Sequence, residues 1–137
     1  MPAVTSLTLH NDYSELPRIS EAVTEFLEGQ AGSIDAIFAA NLAIEELVTN
    51  IIKYGYDDKE RHEISLGLSA ENGSVKIEIR DDGHEFNPFD QPEPDTSLPA
   101  DERDIGGLGI HFVRNMLDSY EYQRVDGQNI VTLSKKL

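Results

Sequence analysis

Three short stretches of this chain carry residue types that could do chemistry together. The first is Glu46, Asn50 and Lys53. At the helical step of about 100° per residue, these three fall within an arc of roughly 60°. A carboxylate one turn from a carboxamide can pair a general base with an oxygen ligand for Mg²⁺. The same pattern also fits a solvated helix face. The second stretch is Ile79-Arg80-Asp81-Asp82-Gly83. Strand side chains alternate faces, so Asp81 continues the face of Val75, Ile77 and Ile79, while Asp82 points the other way. A carboxylate at the end of a buried face needs a donor, and a ligand amino group would be one. The plain alternative is a strand that ends in an Asp-Asp-Gly turn. The third stretch is Gly106-Gly107-Leu108-Gly109 ahead of an apolar helical pattern. Glycines there let a backbone approach phosphate, and a helix N-terminus favours anions, although loops also need glycine.

Several other chemistries lack their parts. The chain has no Gly-x-Ser-x-Gly elbow and no Gly-Lys-Ser/Thr after its glycines. No two of its four histidines lie three or four residues apart, and it has no cysteine. Thiolate sites and disulfides are therefore excluded. The 137 residues carry 11 Lys+Arg against 26 Asp+Glu, a formal charge of -15. This balance argues against nucleic acid or an anionic membrane as partner, since phosphate surfaces need clustered basic residues. It leaves room for one bound nucleotide, because backbone amides and a metal can supply positive charge. No apolar run of about 18 residues is present.

The elements that must position these residues are readable from hydrophobic period and turn residues. Val4 to Leu9 alternates as a strand, and Leu16 to Leu27 has helical spacing. Ser33 is placed to cap a longer helix, with Ile34, Ile37, Phe38, Ile44, Val48, Ile51 and Ile52 as its stripe and Gly55 at its end. The chemical face of that helix is expected opposite the stripe. Ile64 to Leu68 and Val75 to Ile79 read as a hairpin about Asn72-Gly73. Residues 87–103 are rich in proline and acids and are expected to be irregular, a functional lid or a disordered insertion. A short helix with Ile110, Val113 and Leu117 follows, then strands at Tyr120-Tyr122 and Ile130-Leu133 about Asp126-Gly127. The order β-α-α-β-β-loop-α-β-β implies an α+β fold in two layers. Its sheet is expected to be mixed and mostly antiparallel, with helices on one face. Residues 1–137 are expected to form a single domain.

Taken in order, the three stretches resemble the boxes of the GHKL ATPase superfamily. Glu46-Leu-Val-Thr-Asn50 looks like the N box, Asp81-Asp-Gly83 the Asp-x-Gly box, and Gly107-Leu-Gly109 the later glycine box. The strings Glu-Glu-Leu-Val-Thr-Asn and Gly-Gly-Leu-Gly-Ile-His-Phe-Val are similar to the anti-sigma-factor serine/threonine kinases of the RsbW and SpoIIAB type. The resemblance implies the Bergerat fold, with an ATP lid over about residues 87–105. It implies that Glu46 is the general base, that Asn50 holds Mg²⁺, and that Asp81 accepts from the adenine amino group. Gly83, Gly107 and Gly109 would give close approach to ATP. Thr132 would support the adenine site, and Lys53 would contact phosphate. Arg103 is added as a candidate phosphate contact because it is the only basic residue of the lid stretch. His84 stands where a second glycine often follows the Asp-x-Gly box.

The implied protein is a cytoplasmic bacterial regulatory kinase, usually a homodimer. It would phosphorylate a STAS-domain anti-sigma-factor antagonist and hold a sigma factor in a partner switch. The absence of a phosphoacceptor-histidine region leads us not to expect a complete sensor kinase. Three alternatives stay open at this point: an ATP-dependent protein-binding module without kinase activity, a switch kinase whose output is not a sigma factor, and an acidic interaction domain without nucleotide.

Overall fold

A computed structural model describes residues 2–90 and 105–137, with side chains in the second stretch described from Gly109 onward. Five strands and three helices follow one another in the expected order: β1 (Ala3–His10), α1 (Leu16–Gly29), α2 (Ile34–Tyr54), β2 (Glu63–Glu71), β3 (Ser74–Asp81), α3 (Ile105–Met116), β4 (Ser119–Val125) and β5 (Gln128–Lys136). The strands form one sheet in the order β1-β2-β3-β5-β4. Every pairing is antiparallel. The parallel component of a mixed sheet is thus absent among the described residues, because each hairpin partner is a direct neighbour and β5 joins β3 in the opposite sense. Both hairpins turn on left-handed pairs, Asn72 and Gly73 at φ 54° and 78°, and Asp126 and Gly127 at φ 50° and 78°. Turns of this kind match the right-handed twist of the flanking strands.

Alternation gives the sheet two unlike faces. Ile64, Leu66 and Leu68 on β2, Val75, Ile77 and Ile79 on β3, and Val131 and Leu133 on β5 are buried in one core. Ile19, Val23 and Leu27 of α1 and Ile110 and Val113 of α3 meet them from the helical layer. Burying each such side chain is worth about 1.5–3 kcal/mol. The helices cover this one face, as the α+β two-layer reading requires.

Helix α2 is the central helix and differs from the expected pattern. Ser33 caps it as expected, its Oγ accepting from the Ala36 amide at 3.0 Å. Its buried side is Ala36, Ala39, Ala40, Ala43, Ile44, Leu47 and Val48. Ile34 and Phe38, expected in the stripe, are 86% and 60% exposed. The alanines are buried because α2 packs on α1, α3, β3 and β5 at once. Small side chains let neighbouring backbones come close on several sides. Residues 88–90 form a 3₁₀ turn rather than irregular chain. Phe89 anchors it, packing on the core and meeting the Tyr120 ring at a tilt of 32° with centroids 4.5 Å apart.

Candidate nucleotide site

Asp81 is the last residue of β3 and is 5% exposed. Strand alternation puts it in line with Ile77 and Ile79, as expected, and Asp82 is exposed. Burial raises the Asp81 pKa above its ordinary value, opposed by hydrogen bonds from the Gly83 amide and the Asn129 side chain. The Gly83 amide donates to Oδ1 at 2.8 Å, and Asn129 Nδ2 donates to the same oxygen at 3.1 Å. Among the described residues both bonds fall on Oδ1.

A cavity opens beside this carboxylate. Ile79 and Val131 of the sheet line it, together with Leu47, Ile51, Phe86 and Pro88. Its polar lining comes from Asn50, Asp81, His84 and Asn129. An apolar cavity with a few polar groups in its lining suits a planar ring carrying hydrogen-bonding substituents. Gly83 keeps the turn after β3 compact. A β-carbon there would stand 2.5 Å from the Gly55 carbonyl oxygen and 3.0 Å from Asp81 Oδ1. The same Gly55 oxygen accepts from the His84 amide at 2.9 Å, which ties the end of α2 to the turn after β3. This close approach explains the glycine, and His84 occupies the next position without disturbing it.

Asn50 is buried at 8% exposure and lines the cavity. This overturns the expectation that it lies opposite the apolar stripe. Seven residues after Ala43, it points within about 20° of it. Glu46 is half-buried and lies against Gly109 of α3, where a β-carbon would collide with its carboxylate. Lys53 is exposed, its Nζ 5.2 Å from the Tyr54 ring centre. Glu45 is exposed and borders a groove with α1 residues, away from the cavity. Gly107 falls in the first turn of α3. Arg103 and most of the expected lid lie outside the described residues.

Thr132 is not brought to the cavity. It alternates with Val131 and Leu133, so it faces away from the helices, opposite Glu78 and Glu121 on its neighbouring strands. Asn129 is the β5 residue that reaches Asp81, and the two are register partners. Sequence reading missed it. The signal was available: Asn129 is in phase with Val131 and Leu133, two residues beyond the Asp126-Gly127 turn.

No group of three or more His, Asp or Glu among the described residues could hold a metal by itself. Mg²⁺ that arrives with a triphosphate keeps waters and takes only one or two protein oxygens. Asn50 offers such an oxygen on the cavity wall. Among the described residues no helix is long and apolar enough to cross a membrane.

An antiparallel sheet under three helices, with a buried Asp lining a cavity beside the central helix, defines the class. The family model described as histidine kinase-like ATPase domain matches residues 9–135, and the chain belongs to that family. It is 28% identical over 97 residues to the serine/threonine-protein kinase BtrW of Bordetella bronchiseptica, covering 71% of this chain and 68% of the relative. It is 34% identical over 99 residues to an anti-sigma F factor of Clostridium botulinum, with 71% and 68% covered. It is 26% identical over 101 residues to the serine-protein kinase RsbW of Bacillus velezensis, covering 70% of this chain and 62% of that relative. The fold is shared with the structure of the RsbU and RsbW domains of Rv1364c from Mycobacterium tuberculosis. There the TM-score is 0.72 at 16% identity, covering 98% of this chain and 32% of that one.

Proposed function

We propose that this chain is an ATP-dependent regulatory serine/threonine kinase of a partner switch. The observation that carries the reading is that buried Asp81 and buried Asn50 line one apolar cavity. Asp81 accepts from the amino group of adenine, and the apolar walls sandwich the ring. Asn50 holds Mg²⁺ through its side-chain oxygen, and Lys53 and Arg103 contact phosphate. The metal neutralises charge on the triphosphate when it is bound. Gly83, Gly107 and Gly109 let the backbone approach the nucleotide. Glu46, one turn before Asn50 on α2, takes the proton from the attacking hydroxyl. Phosphoryl transfer needs mostly positioning and charge stabilisation, and these groups provide both.

The substrate is a Ser or Thr of a small STAS-domain antagonist, and the protein held in check is a sigma factor. The names of the relatives support this: two are protein kinases and one is an anti-sigma factor. The acting form is a homodimer in the bacterial cytoplasm, with the chain as one domain and residues near 87–105 closing over ATP. A calorimetric titration with ATP, with and without Mg²⁺, tests the nucleotide reading. Tighter binding with Mg²⁺ is expected. An absence of ATP binding under both conditions contradicts it.

A further inference from the structure

Asn129 has a hydrogen-bond partner for every group it can offer. Nδ2 donates to Asp81 Oδ1 at 3.1 Å and to the His84 carbonyl at 2.6 Å. Oδ1 accepts from the Tyr122 hydroxyl at 2.6 Å, the Arg124 guanidinium at 3.1 Å and the Phe86 amide at 3.3 Å. These three donors fix which end of the amide points where. A flipped amide would set its NH₂ against them and its oxygen against a carboxylate. Arg124 also donates to the Gly83 carbonyl at 2.7 Å, so β4 grips the same turn that Asn129 holds.

We infer that Asn129, oriented by Tyr122 and Arg124, is the positioning residue that aims Asp81 and so sets base selectivity. The inference rests on the nucleotide reading above. With the Gly83 amide, Asn129 occupies Oδ1 and pins the carboxylate plane. Oδ2 is then the oxygen presented to an incoming amino group. Buried polar networks of this kind specify one geometry when fully satisfied. Removing Asn129 leaves the carboxylate held by the Gly83 amide alone, so its plane is less fixed and the contact to the amino group weakens while ring stacking and phosphate contacts persist.

The test compares ATP with purine riboside 5′-triphosphate, which lacks the amino group, by calorimetric titration. Wild type should prefer ATP by about ten- to hundredfold, the worth of a hydrogen bond to a charged acceptor. Asn129→Leu should cut this preference to within about threefold and leave the affinity for the purine analogue nearly unchanged. Tyr122→Phe, which removes one orienting donor, should give an intermediate ratio. It also decides the matter if circular dichroism shows Asn129→Leu to be unfolded. A wild-type ratio in the folded variant, or an equal loss for both nucleotides, overturns the inference alone. Wild type that binds neither nucleotide overturns the functional reading with it.

Discussion

The Glu46 carboxylate of α2 lies so close to Gly109 of α3 that a β-carbon at 109 would meet its carboxyl carbon and both oxygens at well under 3.0 Å. The absence of a side chain at 109 therefore fixes where the proposed base can sit. Gly109→Ala ought to help a helix by about 1 kcal/mol on propensity. The colliding atoms are the tip of a flexible side chain, which can swing aside at little cost to folding. The expected result is an unchanged or slightly raised melting temperature with phosphotransfer reduced about a hundredfold, since small displacements of reacting groups cost that much. Parallel thermal melts and transfer assays check this.

Gly83→Ala should behave in the opposite way. The added carbon meets the Gly55 carbonyl, which is backbone and cannot swing aside. Overpacking of this sort costs about 1–3 kcal/mol. Urea denaturation should show that loss, together with weaker ATP binding, because Asp81 and the turn share the strained contact.

Asp81 links stability to function. Burial raises its folded pKa above the ordinary value. Stability from this group is thus fully present below the ordinary carboxylate range and is lost as pH rises through the raised folded value. Asp81→Asn should therefore melt at or above the wild-type temperature at pH 7–8, with the gap closing as pH falls towards about 4. The same variant should bind ATP about ten- to hundredfold more weakly. Melts across pH and nucleotide titrations measure the two effects separately.

His62 carries a pH dependence of its own. A hydrogen bond from its ring to Asp58, at 2.7 Å, raises its pKa above the ordinary value, with burial opposing. The stability from this pair is full below the ordinary imidazole range and is lost as pH rises through the raised folded value. Asp58→Asn should flatten the wild-type fall in melting temperature from about pH 6 to 9. An unchanged slope would assign that fall to other groups.

Much of the fold was legible because hydrophobic period and turn residues agreed. The alternation in Val75, Ile77 and Ile79 placed Asp81 on the buried face, and Asn72-Gly73 and Asp126-Gly127 fixed both hairpin turns. The wheel of α2 misled for a physical reason. Its apolar residues at Ile34 and Phe38 are exposed, whereas alanines and Asn50 face the packed side. Hydrophobicity alone cannot show that a helix is flanked on three sides. Thr132 came from the family resemblance, which expects a Ser or Thr on the last strand, whereas strand phase puts Asn129 beside Asp81 and Thr132 opposite Glu78. The hydrogen bonds that single out Asn129 come from β4 and the turn after β3, which only tertiary structure brings together.

As the proposed base, Glu46 should act in transfer and not in binding. The most direct measurement is the single-turnover rate of phosphate transfer from ATP to a STAS-domain partner, for wild type and Glu46→Gln. ATP affinity should be nearly unchanged in the variant, while transfer should slow by about 10²–10⁴-fold, the usual worth of a positioned base. Full transfer activity in Glu46→Gln, with wild type active on the same partner, would contradict the account.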